Sequence, residues 1–132
     1  MALSDYATQG MEKIIRKACI DLYRRIAERT PVDTGRAKAN WAISTVQAEP
    51  DRNDPDGYSF NEINSIIASE VSGFSFELSD GVVWINNNLE YIESLENGTS
   101  KQAPAGMVMV SLAEFETHFN SALQGLKGFE PA

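Results

Sequence analysis

The sequence predicts an α+β domain in which a small, mostly antiparallel sheet packs against long N- and C-terminal helices. Three observations carry this. Apolar residues recur at three- and four-residue steps over 4–29, and again over 107–124, the period of a helix with one buried face. Between those stretches, over 74–86, apolar residues flank Asp80-Gly81, the signature of a two-residue hairpin turn. With 132 residues the chain is expected to form one domain, with a flexible tail at 125–132.

The first helix, 4–29, is expected to be capped by Ser4, with Asp5 favouring the positive end of its dipole. Met11, Ile14, Ile15, Ala18, Leu22 and Ile26 form its apolar stripe, with Cys19 and Tyr23 flanking it. Thr30-Pro31 ends the helix, because a residue before proline avoids the α region. Asp33, Thr34 and Gly35 then make a turn closed by its own side chains. A strand over 37–48 is predicted next, with Ala39, Trp41 and Ile43 on one face.

The polar loop 49–58 places Asp51, Asn53, Asp56 and Glu62 in a spacing close to a calcium loop. Pro55 stands where a ligand is needed and Gly57 falls one place late, so a solvated acidic loop is expected. Ser59 and Glu62 form a capping box for a helix over 60–71. Strands at 74–79 and 82–86 make the hairpin, with a register that pairs Phe76 with Ile85 and Trp84 with Glu77. A short helix over 89–97 is stopped by Gly98, and the last helix buries Val108, Leu112, Phe115, Phe119 and Leu123. The expected core of the hairpin and terminal helix is Phe76, Trp84, Phe115 and Phe119, facing Trp41, Leu22 and Ile26.

Composition excludes more than it supplies. Eleven Lys and Arg against nineteen Asp and Glu leave a net charge of −8, which argues against binding nucleic acid through its phosphates. The single Cys19 and single His118 leave no disulfide within the chain and no set of zinc ligands. Cys19 reads as a helix-packing residue and His118 as a boundary or surface side chain. No signal peptide and no membrane-spanning run is apparent, so synthesis in the cytoplasm and no membrane partner are expected. There is no phosphate loop, dinucleotide fingerprint, zinc-helix motif or serine elbow. Asp33 with Thr34, as base and nucleophile, and the pair Glu93 and Glu96, as acid and base, are the only candidate catalytic groups. A self-bonded turn and a solvated helix face account for them more simply, and Asn97-Gly98-Thr99 is a glycosylation sequon without a secretory signal. The expectation is no enzyme, with no catalytic, cofactor-binding or metal-binding residues.

TPVDTGRAKANW at 30–41, behind an N-terminal helix, and WINNNLEYIESLENGTSKQAPAGMV at 84–108, ahead of a terminal helix, carry a resemblance. In this order and spacing they resemble the tail-completion, or neck, proteins of long-tailed bacteriophages, the gene-product-ten-like proteins of lambdoid phages. The resemblance spans about 10–48 and 74–124. It implies a structural virion protein at the head–tail junction, forming a homo-oligomeric and expectedly hexameric ring. Its implied partners are the head-connector (stopper) protein and the tail terminator or tail-tube protein, with DNA passing through but not specifically bound. It implies no cofactor, and the motif positions Thr30–Arg36 and Asn86–Gly106 carry no catalytic role. A cytosolic protein-interaction domain unrelated to phage is the alternative, and a small hydrolase using Glu93 and Glu96 a third. In a ring, the acidic stretches Glu49–Asp56 and Glu90–Glu96 would repel DNA from the channel wall. They are otherwise solubilising surface, and a wall of Lys13, Lys17, Arg24, Arg25 or Lys101 would speak against the first role.

Overall fold

The order of elements follows from two long amphipathic helices and the short segments strung between them. In the computed structural model, residues 3–32, 35–46, 52, 56–98 and 106–126 are described. Helix α1 runs Leu3–Arg29, α2 Arg36–Ala39, strand β1 Ala42–Ser44 and α3 Phe60–Gly73. Strand β2 (Trp84–Asn86), α4 (Ile92–Glu96) and α5 (Val108–Leu126) complete the chain. This is the predicted α+β architecture: an antiparallel two-stranded sheet with long terminal helices, α5 lying along α1.

Helix α1 opens at Leu3, one residue ahead of the expected Ser4 cap. Its buried face is Cys19, Leu22, Tyr23, Ile26 and Ala27, so Tyr23, expected at the flank, sits fully buried in the core. The helix ends at Thr30, whose N–H reaches back to the Ala27 carbonyl at 3.2 Å. Pro31 behind it is buried.

Of the predicted strand over 37–48, the described residues 37–46 hold strand only at Ala42–Ser44, because the first residues form α2; residues 47 and 48 lie outside the described residues. Arg-Ala-Lys-Ala is composed of good helix formers with little strand preference. Gly35, at φ 83, turns the chain so that its carbonyl accepts from Ala39 N–H at 2.9 Å. Alternation of small apolar residues over so short a run fits a helical turn as well as a strand. Trp41 and Ile43 remain buried together, as expected.

Helix α3 carries the predicted capping box: Ser59 Oγ accepts from Glu62 N–H at 3.2 Å and Glu62 Oε1 from Ser59 N–H at 3.1 Å. The predicted hairpin does not form. No strand occupies 74–79, and Leu78–Asp80 is a single 3-10 turn. Asp80 Oδ2 accepts from Glu77 N–H at 2.8 Å while the Glu77 carbonyl accepts from Asp80 N–H at 2.9 Å. The aspartate thus closes a local turn on its own backbone instead of starting a two-residue hairpin. Strand β2 instead pairs with β1, with Ala42 opposite Asn86, Ile43 opposite Ile85 and Ser44 opposite Trp84. The expected pairs Phe76–Ile85 and Glu77–Trp84 are therefore absent.

The core consists of the α1 face with Trp41, Ile43, Phe74 and Met107. Phe76 and Phe115 pack half-buried at its edge. Trp84 remains 39% exposed and is not a core residue. Phe119 is half-buried and stacks on Phe115, ring centroids 5.4 Å apart and nearly parallel. Helix α5 is also rotated from the expected stripe, with Ser111 buried and Leu112 exposed. Ser111 Oγ accepts from Arg29 Nη1 at 3.1 Å, and Glu114 pairs with Arg25 and Arg29. The small serine and the carboxylate bring a polar stripe of α5 onto the cations of α1, which turns Leu112 outward.

Candidate functional site

Thr30, Asn40 and Trp41 of the first motif take part in a hydrogen-bonded hub. Trp41 Nε1 donates to Thr30 Oγ1 at 2.8 Å, and Thr30 Oγ1 donates to the Ile26 carbonyl at 2.7 Å. Tyr23 Oη donates to the Trp41 carbonyl at 3.4 Å. Asn40 Nδ2 donates to the carbonyls of Arg36 and Arg52, and Arg52 Nη1 to those of Ala39 and Trp41 at 3.0 and 3.3 Å. Glu70 closes the hub from α3, taking Arg52 Nη2 at 3.3 Å and Ile43 N–H at 3.0 Å. Burial pushes the Tyr23 phenol well above its ordinary value, and the nearby Glu70 charge adds to that rise.

The second motif is also engaged by the backbone. Asn87 Nδ2 donates to the Ala37 carbonyl at 2.8 Å, and its Oδ1 accepts from Leu89 N–H at 3.1 Å. Glu96 caps α5: Oε1 accepts from Met107 and Val108 N–H at 2.9 and 2.8 Å, and Oε2 from Met109 N–H at 3.1 Å. Three of the N–H groups at the start of a helix, which have no partner inside it, are satisfied by one side chain. Gly106, at φ 82, makes this possible, since a Cβ there would stand 2.5 Å from the Glu96 carbonyl oxygen. Gly98, at φ 84, ends α4 as predicted, its N–H reaching the Leu95 carbonyl at 3.1 Å.

Of the candidate catalytic groups, Glu93 and Glu96 are described, and they are not brought together as a site. Glu93 is exposed at the surface while both oxygens of Glu96 face backbone donors. Asp33, Thr34, Asp51, Asn53 and Thr99 lie outside the described residues. Asp56 is exposed, and Glu62 is engaged in the α3 cap. Cys19 is buried in the core, which raises its thiol pKa by desolvation. His118 is exposed, with Nε2 3.5 Å from Arg25 Nη2. Among the described residues, no three His, Cys, Asp or Glu side chains converge on a point that a metal ion would fill, and no helix is long and apolar enough to cross a membrane.

The α1–α5 seam is electrostatic at its centre. Arg25 Nε donates to Asp21 Oδ2 at 2.8 Å, and this hydrogen bond, more than the pairing with Glu114, raises the pKa of the guanidinium. Glu114 is held below its usual value, first by the hydrogen bond from Arg29 and then by the charges of Arg29 and Arg25.

No family model, curated protein or solved structure matches this chain.

Several large apolar side chains are exposed. Phe60 is 78% exposed and Met109 73% exposed, with Val46, Val82, Leu78 and Leu112 also open to solvent. Phe60 stands at the mouth of a cleft of about 390 Å³ between α1, α2 and α3. Its apolar wall is Val32, Ile63 and Ile67, and Arg24, Glu28 and Lys38 provide its charges. Sequence reasoning missed this cleft, the Arg52–Glu70 clamp and the Glu96 cap. One signal was available: Glu70 follows Ile63 and Ile67 on the same apolar stripe of α3, and a carboxylate interrupting such a stripe asks for a buried partner.

Proposed function

We propose that this chain is a structural virion protein that joins the phage head connector to the tail, working as a closed ring of copies around the DNA path. The supporting observation is the pairing of internally engaged motif residues with several large apolar side chains left exposed. The side chains of Thr30, Asn40, Trp41, Asn87 and Glu96 all hold backbone or one another. The motifs therefore build a scaffold, and the large side chains left outside, Phe60 and Met109 foremost, are available to other subunits. Repeated head-to-tail contacts that close on themselves make a ring and bury such surface on every copy. The expected six-fold ring and its neighbours, the stopper and the tail terminator or tube, rest on the family resemblance.

The charge fits the same role. On a chain of net charge −8, a ring that turns the exposed Glu90 and Glu93 to its channel, and the exposed Lys13, Arg16, Lys17 and Arg24 of α1 away from it, would repel phosphates. DNA would thread such a ring without being held. The test is a phage in which the reading frame is interrupted: filled heads and finished tails are expected to accumulate unjoined. Complete, infectious particles made without the protein would overturn the reading.

A further inference from the structure

We infer that the cleft between α1, α2 and α3 receives the outer face of α5 from a second copy of this chain, and that this is the contact that repeats around the assembly. The inference rests on the joining role only in that it supplies the contact such a ring needs. Two faces of one molecule are both apolar and carry opposite charge. The cleft is a concave apolar surface with Phe60 at its mouth and Ile63 and Ile67 in its wall. It carries two cations, Arg24 and Lys38, against the single anion Glu28, a local positive excess on a chain of net charge −8.

The opposite face of the match is a ridge. Met109, Leu112 and Glu116 follow one another at steps of three and four, so they share a face of α5 about 10 Å long. All three are exposed, and among the described residues Met109 and Phe60 are the two most exposed of the large apolar side chains. Helix α5 contains Glu114 and Glu116 and no Lys or Arg. Glu114 is held by α1, which leaves Glu116 as the acidic end of the ridge. An apolar pair followed by a carboxylate is the pattern a helix offers to an apolar groove with a basic rim.

The two faces are also separate on the molecule. Arg25 and Arg29 point from α1 toward α5, whereas Arg24, one residue earlier and therefore about 100° round the helix, lines the cleft. The ridge lies on the side of α5 away from that seam. A copy can therefore give its ridge to one neighbour while its cleft takes the ridge of another, a head-to-tail contact that propagates.

The experiment uses two variants of the full chain, each disabling one face. Phe60→Asp places a carboxylate in the mouth of the cleft and in the first turn of α3, where a negative charge suits the helix. Met109→Gln with Leu112→Gln removes the apolar anchors of the ridge and keeps good helix formers. Unfolding curves of both are expected to overlay that of the parent, and mass is read by light scattering up to about 1 mM. The parent is expected to form species larger than a dimer, each variant alone a monomer, and an equimolar mixture of the two a dimer and nothing larger. A parent that stays monomeric, a variant that assembles like the parent, or a mixture that stays monomeric overturns the inference. Should the substitutions disturb folding, the charge exchange decides: Lys38→Glu is expected to lose assembly and Lys38→Glu with Glu116→Lys to regain it, and failure of the double variant to regain it refutes the contact. Rings that survive in all variants would refute this contact and leave the joining role standing. Variants that behave as expected, in a protein that is absent from the head–tail junction, would do the reverse.

Discussion

Replacing Glu96 by alanine tests whether this side chain is a cap or a candidate acid. Its two oxygens accept three backbone N–H groups within 3.1 Å at the start of α5. Met109 N–H is exposed and can turn to water, so its loss costs little. Those of Met107 and Val108 are part-buried, and Met107 itself is fully buried, so they are left without acceptors. A buried donor stripped of its partner costs about 1–3 kcal/mol, and a helix cap about 1 kcal/mol. With two such donors and overlapping contributions, Glu96→Ala is expected to cost about 2–3 kcal/mol. Glu96→Gln keeps one oxygen and is expected to cost about half of that. Glu93→Ala, three residues away and exposed, is expected to stay within about 0.5 kcal/mol of the parent. Urea unfolding at constant pH, followed by the helical circular-dichroism signal, reads all three. If Glu96→Ala unfolds at the same urea concentration as Glu93→Ala, the carboxylate is not holding α5 and the structural reading of this motif fails.

Gly106→Ala is expected to destabilise by roughly 2 kcal/mol or more, since its Cβ would stand 2.5 Å from the Glu96 carbonyl oxygen at a φ of 82°; a neutral melting temperature would show that the α4–α5 connection takes another path. Thr30→Val leaves the buried Trp41 indole N–H without its acceptor and is expected to cost about 1–3 kcal/mol with a shift in tryptophan fluorescence, whereas unchanged emission would argue that the hub is not closed. Phe115→Ala, half-buried against the core, is expected to lower stability by roughly 2 kcal/mol, and an unmoved melting temperature would place a different face of α5 on α1. Because Glu114 is held below its ordinary 4.5 in the folded chain, its contribution is present above that pH and is lost as pH falls through the lower folded value. Glu114→Gln is therefore expected to flatten the acid limb of a stability–pH curve, and an acid limb identical to that of the parent would contradict the pairing with Arg25 and Arg29.

Long elements are legible in the sequence, and among the short ones the helix stopped by Gly98 is, whereas α2 and the pairing of β2 are not. Helices α1, α3 and α5 rest on many apolar positions at a helical period, and their starts and stops were read to within a few residues. Over Arg36–Ala39 four residues cannot distinguish periods of two and three, and Gly35 decided for a helical turn. Asp80-Gly81 carried a hairpin signal, yet the aspartate found Glu77 N–H first and left Trp84–Asn86 to pair with the distant Ala42–Ser44. Trp84 and Leu112 are core by hydrophobicity alone, yet both are exposed, and Ser111 is buried. The order is reversed because Arg25 and Arg29 draw Glu114 inward, a constraint between residues far apart in sequence. Glu93 and Glu96 read from sequence as a solvated helix face; Glu93 is exposed, whereas Glu96 holds the start of α5.

The proposed joining role is tested most directly in the assembled particle. Cryo-electron microscopy of virions carrying a tagged copy is the direct measurement. The account predicts a closed ring of these subunits, with the tag at the head–tail junction and the DNA channel passing through its centre. Tag density anywhere else in the particle, or virions that contain none of the protein, would contradict it.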